Sequence, residues 1–466
     1  MKKIKYQPNN ISVIDEADVV VIGGGPAGFG AALGAANSGS SVIIIEKAAA
    51  CGGVAIMGLP IQGFDYADGR PLVRGVAWQL YQALVESGDA LSPLIECPLH
   101  NPYAIVDPDA CALQIMSMLD EAGVKVWNHV CFVDTVIGND GSIDYVVVAG
   151  KNGLHAIKGR FFIDATGDGD VAASAEVPFT VGREVDGIPQ SATVNFTLCN
   201  IDLKRFSQAV AEDDGSLFDT HPLLNRFAIT ANKPYIMVGL RNLIKQAEEE
   251  RGVLLPCKFA SYITSVSPQC VTINMTHVPY AMGHTILGLS EAEQEGRRQI
   301  RPILEFLKHY APGFEQARIA RIAAHVGIRE SRHIKGLYTL SESDIIEGKF
   351  HHDTIALGGY PIDIHSPVQG DVFLKRVPPY GIPFRCMQVE LVPNLLVTGR
   401  ALSAEHVALA SCRLIAQCMA MGEGAGVGAH YAVASEVPST LIDVRSVRKI
   451  LKERKAIVDL ADGVDF

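Results

Sequence analysis

Four short apolar runs stand out along the chain, and each leads into a turn that contains glycine or an acid. Val19 to Ile22 and Val42 to Ile45 are continuous and β-branched, which is typical of strands buried on both faces of a sheet. Phe161 to Ile163 and Leu395 to Val397 repeat the pattern much later. The runs therefore predict a sheet whose strands come from both ends of the chain.

Helical and hairpin patterns lie between the second and third of these runs. Pro108 to Glu121 has the pattern of a helix. Val124 to Val136 and Ile143 to Val148 then read as two strands of a hairpin around the turn Asn139-Asp140-Gly141. A strand that ends at Asp164 follows this hairpin.

The chain changes character after about residue 180 and becomes more polar. Ser191 to Leu198 alternates as a strand does, and Val271 to Val278 is a further strand. Ser290, with Glu293 three residues later, matches a capping box and predicts the start of a helix that reaches about His309.

A glycine-rich turn and a small-residue segment join the first two apolar runs. Gly23 permits a sharp turn, Gly25 lets the backbone approach a pyrophosphate, and Gly28 lets the next helix pack closely. The start of that helix offers N–H groups and a positive dipole end to phosphates. Glu46 lies 18 residues beyond Gly28, where a carboxylate can accept from ribose hydroxyls. An ordinary glycine-rich turn would not explain Glu46, so the pattern predicts a dinucleotide site.

Further glycine segments favour FAD over a nicotinamide dinucleotide. Gly52 and Gly53 come a few residues after Glu46, the predicted ribose-binding residue, as expected where the chain runs past a long buried coenzyme. Asp164 to Asp170 and Gly399-Arg400 each place a glycine turn directly after an apolar run. Gly422 to Gly428 lacks a preceding strand, so a separate NAD(P)H domain is not expected.

From about residue 18 to 433 the chain resembles the FAD-dependent oxidoreductases of the glutathione-reductase-like class. It is similar to a bacterial group within that class, through Ile163–Asp170, Gly327–Ile334, Asp353–His365 and Ile382–Arg413. The resemblance implies non-covalent FAD, with the backbone near Ser411 to Arg413 facing the pyrimidine edge of the flavin. The expected cofactor-binding residues are Gly23, Gly25, Pro26, Ala27, Gly28, Glu46, Lys47, Gly52, Gly53, Thr166, Gly167, Asp168, Gly399, Arg400, Ser411 and Arg413.

The expected fold class is α/β, with two intertwined domains, because 466 residues are too many for one typical core. A Rossmann-like, three-layer ββα domain that binds FAD would be assembled from residues 1–180 and 376–440. An inserted α+β domain, 181–375, would cover the substrate, and 441–466 would form a C-terminal tail or helix.

Composition and charge exclude several classes of binding partner. The net charge of −11 argues against nucleic acid and against an anionic membrane surface. No apolar run reaches about 18 residues, and the first ten residues are basic without an apolar core, so a cytoplasmic location is expected. The ten cysteines form no CxxC pair, and HxH and HExxH patterns are absent, so no metal site is predicted.

Three residues are candidates for the chemistry. Dehydrogenation by a flavin needs a base for the accompanying proton and positive charge for an anionic substrate group. His365 ends a segment whose alternation puts Asp363 on the same face, which favours it as the base. His406 follows the glycine–arginine turn that the resemblance places near the flavin. Arg329 would grip substrate or flavin, oriented by Glu330, although a structural Arg–Glu pair explains the same pattern.

The sequence therefore predicts an FAD-dependent oxidoreductase that transfers a hydride between a small organic substrate and flavin N5, with an unidentified electron donor or acceptor. A fumarate-reductase-type enzyme acting on an activated double bond is the alternative, since Arg329 and Arg332 permit an anionic substrate. An RNA-modifying or non-redox flavin-binding protein is an alternative of another class. The direction of the reaction and homo-oligomerisation stay open.

Overall fold

The computed structural model describes residues 10–463, except 98, 216–217, 219–228, 230–233, 268 and 368–371. The lead-in residues 1–9 and the last three residues of the predicted tail thus lie outside the described residues. The strands within the described part are, in chain order, β1 Ser12–Ile22, β2 Val42–Glu46, β3 Ile61–Gln62, β4 Tyr103–Ala104, β5 Lys125–Asn128, β6 Cys131–Ile137, β7 Ile143–Gly150, β8 Gly153–Asp164, β9 Phe179–Val181, β10 Phe196–Cys199, β11 Ile236–Gly239, β12 Ala260–Thr264, β13 Val271–Asn274, β14 Arg318–Ile322, β15 Arg332–Ile334, β16 Thr354–Gly358, β17 Ile362–His365, β18 Val372–Lys375, β19 Tyr380–Pro383 and β20 Leu395–Val397.

The α-helices of the described residues connect and cover these strands. None of them combines the length and the apolar character that a bilayer crossing requires. In chain order they are α1 Pro26–Ala36, α2 Val76–Glu86, α3 Pro108–Glu121, α4 Asp170–Ser174, α5 Leu203–Glu212, α6 Arg241–Arg251, α7 Ile286–Tyr310, α8 Glu342–Glu347, α9 His406–Cys412, α10 Ile415–Ser435 and α11 Val444–Glu453.

A seven-stranded sheet gathers the predicted apolar runs. Its order is β5-β2-β1-β8-β7-β6, with β20 paired to β8. The pairs among β5, β2, β1, β8 and β20 are parallel. Val19 and Val21 pack in one core cluster with α1, whereas Val20 and Ile22 pack in a second cluster on the opposite face. The prediction of strands buried on both faces is confirmed.

The predicted hairpin needs a correction at its first strand. Residues 124–136 form two strands, not one, because the backbone turns at His129, whose φ is +57°. The first piece, β5, pairs parallel with β2, and only β6 pairs with β7 as a hairpin. Both pieces belong to the same seven-stranded sheet.

A five-stranded antiparallel sheet forms a second centre, in the order β11-β12-β13-β10-β14. The long helix α7 packs on it through buried residues such as Ile303 and Phe306. The predicted start of this helix at Ser290 is wrong. Thr285 is the N-cap, since its side chain accepts from the Gly288 amide, and the helix begins one turn earlier.

Helices α1 and α10 lie in backbone contact. A Cβ built on Gly30 would stand 2.1 Å from the carbonyl oxygen of Met419, and one on Gly422 would stand 2.0 Å from that of Ala27. Any side chain larger than hydrogen would therefore force the two helices apart. The glycines of this contact are Gly30, Gly34, Gly422 and Gly426.

Candidate active site

Two adjoining cavities lie where the loops after β1, β8 and β20 face the five-stranded sheet. The inner cavity of about 270 Å³ is lined by segments from both ends of the chain, and an adjoining cavity of about 440 Å³ rests on the sheet. Arg329, Tyr360, Asp363 and His365 line both. This position at the carboxyl ends of parallel strands is the usual ligand crevice of an α/β fold. A wider cavity of about 760 Å³, around Asp202, contains none of the predicted site residues.

The first glycine turn opens onto the inner cavity. Gly25 is the N-cap of α1, and no side chain caps this helix. A Cβ built on Gly25 would meet nothing within 4 Å, so the space in front of it is free of protein. Gly23 has a φ of +99°, and a Cβ on Gly28 would stand 1.8 Å from the Gly23 carbonyl oxygen. Gly23 therefore makes the turn and Gly28 the close packing.

Glu46 ties the first glycine turn to the second. Its Oε2 accepts from the Gly24 amide and its Oε1 from the Ala48 amide, both at 2.7 Å. The Gly52 amide donates to the Gly24 carbonyl at 2.7 Å. Each carboxylate oxygen has a second lone pair that can accept from a ribose hydroxyl. Cys51 is buried beneath this turn, and burial raises the pKa of its thiol to about 12, so the thiol stays neutral.

Asp164 and Asp168 perform different tasks in the turn after β8. Asp164 is fully buried and accepts from the Thr166 hydroxyl and the Ala172 amide, so it shapes the turn, and burial raises its pKa to about 6. Asp168 lines the inner cavity and accepts from Arg400 Nη2 at 2.9 Å and from the Ser331 hydroxyl at 2.6 Å. Burial raises the pKa of Asp168, but Arg400 and Ser331 outweigh that effect. The pKa therefore lies below its usual value, and the carboxylate stays ionised.

His365 and Asp363 meet on one side of β17, as their spacing predicts. Their closest approach is 3.3 Å, between Nε2 of His365 and Oδ1 of Asp363. Burial, with the Arg329 cation, lowers the pKa of His365 to about 4. Burial raises the pKa of Asp363, but His365 and Arg413 outweigh it and keep the carboxylate ionised. His365 is therefore a neutral base at pH 7, and with Nε2–H donated to Asp363, its Nδ1 is the proton acceptor.

Arg329 is anchored from one end of its guanidinium. Nη1 donates to the Ser191 carbonyl at 2.6 Å and to the Thr193 hydroxyl at 2.7 Å. Burial and the neighbouring Arg413 cation lower its pKa to about 10, so Arg329 remains charged at pH 7. The expectation that Glu330 orients Arg329 is wrong, because the Glu330 carboxylate bonds to other residues.

Glu330 is fully buried at the centre of a separate cluster. It accepts from His406 Nδ1 at 2.7 Å, from His333 Nε2 at 2.9 Å and from the Gln190 amide at 2.8 Å. Burial raises the pKa of Glu330, but the two histidines outweigh it, and the pKa falls to about 2. His406 is held in this cluster and does not line either cavity.

Gln190 is a site residue that sequence reasoning missed. Its side-chain oxygen accepts from Arg413 Nη2 at 3.0 Å and from the His365 amide at 3.3 Å. It thus joins the Glu330 cluster to the residues of the cavity. Nothing local marks it, since a lone glutamine in a loop has no distinguishing spacing.

The predicted cofactor-binding residues fall into two groups. One group builds the turns or lies behind them without lining the inner cavity: Gly23, Gly28, Glu46, Gly52, Thr166 and Ser411. Ser411 in particular is buried, donating to the Tyr360 carbonyl and accepting from the Tyr380 hydroxyl. The other group lines the inner cavity: Gly25, Pro26, Ala27, Lys47, Gly53, Gly167, Asp168, Gly399, Arg400 and Arg413.

Residues 18–451 match the family described as FAD dependent oxidoreductase. The chain belongs to this family. Its cofactor is accordingly FAD, in agreement with the glycine turns at the inner cavity.

The curated relatives of this family member match only part of it. A digeranylgeranylglycerophospholipid reductase 2 of Methanopyrus kandleri is 25% identical over 186 residues, 40% of this chain and 43% of that protein. A thiamine thiazole synthase of Pyrococcus horikoshii is 28% identical over 180 residues, 37% of this chain and 66% of that protein. The chain thus spans less than two thirds of the length of either relative.

Solved structures are similar over most of the chain. A geranylgeranyl bacteriochlorophyll reductase-like protein from Thermoplasma acidophilum has a TM-score of 0.46 at 13% identity, covering 94% of this chain and 84% of that one. An L-proline dehydrogenase from Pyrococcus horikoshii has a TM-score of 0.45 at 14% identity, covering 94% of this chain and 98% of that one.

The polar groups around the inner cavity suit FAD. The start of α1 and the start of α10, at Leu414 and Ile415, both line it, so two positive helix ends face the same space. Arg413 Nε, Gln190 Nε2 and Asn195 Oδ1 are buried without a partner among the described residues. Buried polar atoms of this kind call for a ligand or water. The residues present therefore fit a coenzyme with phosphates at one end and ring acceptors at the other.

Proposed function

We propose that this protein is an FAD-dependent oxidoreductase that transfers a hydride between a small organic substrate and flavin N5. The substrate would occupy the 440 Å³ cavity, and bound FAD would supply the hydride acceptor. The observation that carries the proposal is the neutral His365, held by Asp363, at the junction of the two cavities. A base at that position can take the proton that accompanies hydride loss.

The residues of the inner cavity would hold the FAD. The pyrophosphate would lie in front of Gly25 at the start of α1, and Glu46 would accept from the ribose. Asp168 and Arg400 would contact the middle of the coenzyme. Arg413 and the start of α10 would face the pyrimidine edge, where positive charge favours the reduced flavin.

His365 would take the substrate proton on Nδ1. Asp363, 3.3 Å from Nε2, would hold the ring in one tautomer and stabilise the imidazolium that forms. Because the pKa of His365 is about 4, the base is deprotonated above that pH. The rate of flavin reduction should be level from pH 6 to 8 and fall as the pH drops toward 4. Rapid-mixing kinetics across this range measure the profile.

The experiment that tests the proposal compares two histidine variants. Anaerobic screening of hydroxy acids, amines, sugars and enoates first identifies a compound that bleaches or reoxidises the flavin. His365→Ala should keep its flavin but be reduced about 10²-fold more slowly, since general-base catalysis is lost. His309→Ala, at an exposed position on α7, is the control and should react normally. A normal reduction rate in His365→Ala would remove His365 as the base.

The reverse reaction on an activated double bond is the second candidate. Arg329 and Arg413 both line the inner cavity, and two cations suit an anionic enoate. One matched relative is named as a reductase. Anaerobic reoxidation of chemically reduced flavin by an enoate would favour this direction over dehydrogenation.

Cellular context and assembly belong to the same proposal. Ten free cysteines suit a reducing compartment, which supports a cytoplasmic and, with the family resemblance, a bacterial protein. The net charge of −11 supports a protein without nucleic-acid or membrane partners, and a homo-oligomer is compatible with every observation. We propose that the chain divides into two FAD-domain segments, 1–180 and 376–440, an inserted domain, 181–375, and a C-terminal tail, 441–466. Leu340 and Ile355, which pack in the core with α1, favour an earlier end for the inserted domain.

A further inference from the structure

We propose that the substrate combines one carboxylate with an apolar carbon chain, the carboxylate bound by Arg329 and the chain lying on the five-stranded sheet. The inference rests on the proposed function, because it assigns the 440 Å³ cavity to the substrate. It goes beyond that function by naming the chemical class that the cavity accepts.

Arg329 presents a complete hydrogen-bonding edge to the cavity. Its Nη1 is engaged by Ser191 and Thr193, while Nε and Nη2 have no acceptor among the described residues and are not buried. The Nε–Nη2 edge carries two parallel N–H groups, the geometry that binds a carboxylate through both oxygens. Two fixed neighbours hold the guanidinium in place, so little freedom is lost when such an anion binds.

The charges that line the 440 Å³ cavity favour an anionic substrate group. Arg241 and Lys258 line it together with Arg329, and the shape of the free Arg329 edge, not the charge count, favours a carboxylate. Asp363 is the one carboxylate among the described residues that line the 440 Å³ cavity, and its charge is already shared with Arg413 and His365. His277 also lines the cavity, and burial lowers its pKa to about 4, so it adds no charge at pH 7. Arg329 is therefore left as a cation without an ion-paired carboxylate in the described structure.

One face of the five-stranded sheet provides an apolar floor. Ile236 and Val238 of β11 lie two residues apart on one face, and Ile263 of β12 pairs with Ile236. All three line the cavity, and Leu99 and Leu374 line it as well. Carbon–hydrogen surface buried against them gains about 0.8 kcal/mol per methylene. A substrate that reaches from Arg329 along this floor thus needs an apolar body.

The test measures binding of defined probes to the FAD-loaded protein by isothermal titration calorimetry. Octanoate should bind at least tenfold more tightly than 1-octanol, octylamine or octyl phosphate, because each of the others lacks the matching monoanionic carboxylate. Affinity should rise from butyrate through hexanoate to octanoate by up to about fourfold per methylene. Equal binding of octanol and octanoate, or a preference for octyl phosphate, would overturn the proposal.

Variants separate the two ends of the site. Arg329→Met should weaken octanoate binding at least tenfold, whereas Arg298→Met, at an exposed position on α7, should bind as the wild type does. Val238→Trp should fill the floor at β11, on a different element from Arg329, so it should abolish the gain in affinity with chain length and leave butyrate binding intact. If Arg329→Met does not fold, the carboxylate site is tested by the affinities of the probe series in the wild type and in Val238→Trp. Unchanged octanoate binding in the folded variants would contradict the assignment.

Failure of this inference and failure of the proposed function are distinguishable. Calorimetry reads binding without any redox step, whereas bleaching of the flavin by carboxylic acids reads the reaction. Octanoate binding that depends on Arg329 and Val238 supports the carboxylate site, whether or not a saturated acid bleaches the flavin. The absence of bleaching would contradict only the dehydrogenation of such acids. Bleaching by compounds without a carboxylate, at rates independent of Arg329, would overturn the inference and leave the oxidoreductase intact.

Discussion

Gly25 and Gly28 are three residues apart, yet they differ in whether the fold tolerates a side chain at that position. A side chain at Gly28 would collide with the Gly23 carbonyl, whereas one at Gly25 would meet no protein atom within 4 Å. The φ of Gly25 is −69°, which any residue adopts. The motif alone suggests that both glycines are equally required. The surrounding atoms show that Gly28 is needed for folding, whereas the fold does not require glycine at position 25.

Gly25→Val should therefore fold and fail to retain FAD. The side chain would occupy the space where the backbone is proposed to meet the pyrophosphate. The purified variant should be colourless, with a melting temperature equal to that of FAD-free wild type. Gly28→Ala is the contrasting variant and should reduce the yield of folded protein. A yellow Gly25→Val protein would mean that the phosphates lie elsewhere.

Other single residues show where sequence reasoning stops. Spacing alone places Asp363 beside His365, because residues two apart on a strand share a face. Spacing could not place Glu330, since its partners His406, at the start of α9, and Gln190, in a loop, are far away in the sequence. Long-range packing decided those contacts, and no local pattern records it.

Elements defined by local chemistry were predictable, and elements defined by partners were not. Helix α3 spans the residues that its pattern predicts, because Asp107 caps it and Pro108 starts it. The predicted start of α7 is wrong because Thr285, which also caps helices although Ser is favoured more, precedes Ser290 and serves as the N-cap. The strand breaks at His129 because β5 pairs with β2. No local sequence pattern indicates this long-range pairing.

Glu423 links α10 to the start of α2 and makes that contact sensitive to pH. Its Oε2 accepts from the Val76 amide at 3.1 Å, and Oε1 has no partner in the described structure. Burial raises the pKa of Glu423 from 4.5 to about 7, against the opposing effects of the Val76 amide and Arg454. A raised pKa means that the contribution to stability is complete below pH 4.5 and is lost as the pH rises through 7.

Glu423→Gln should remove this dependence. At pH 8 the variant should have a larger free energy of unfolding than the wild type, by up to about 3 kcal/mol, and the difference should shrink toward pH 5. Urea titrations at both pH values measure it. Glu436→Gln, at an exposed position at the end of the same helix, should show no such trend. A difference that is constant from pH 5 to 8 would contradict the raised pKa.

The proposed coenzyme half of the site, at the inner cavity, and the proposed substrate half, at the 440 Å³ cavity, differ in how far the sequence reveals them. The coenzyme half consists of turns with local glycine signals, at Gly25, Gly167 and Gly399. The substrate half is built from Thr193 and Asn274, among others, which come from sheet strands and loops without a motif. Its shape depends on how the five-stranded sheet faces the first one, which only the folded chain determines.

FAD should stabilise the whole molecule, because its proposed site joins segments from both ends of the chain. A ligand that binds only the folded state adds about 1.4 kcal/mol for each tenfold rise in its concentration above Kd. The melting temperature of FAD-depleted protein should thus rise steadily with added FAD. Glu46→Ala should need more FAD for the same rise. A melting temperature that ignores FAD would contradict a site that spans these segments.

Four glycines between α1 and α10 fix the separation of the two helix starts that border the inner cavity. The distance between the proposed phosphate end and the proposed ring end of the FAD site is thus set by residues that do not line the cavity. A larger residue at Gly34 or Gly426 should therefore weaken FAD retention although neither position lines the cavity.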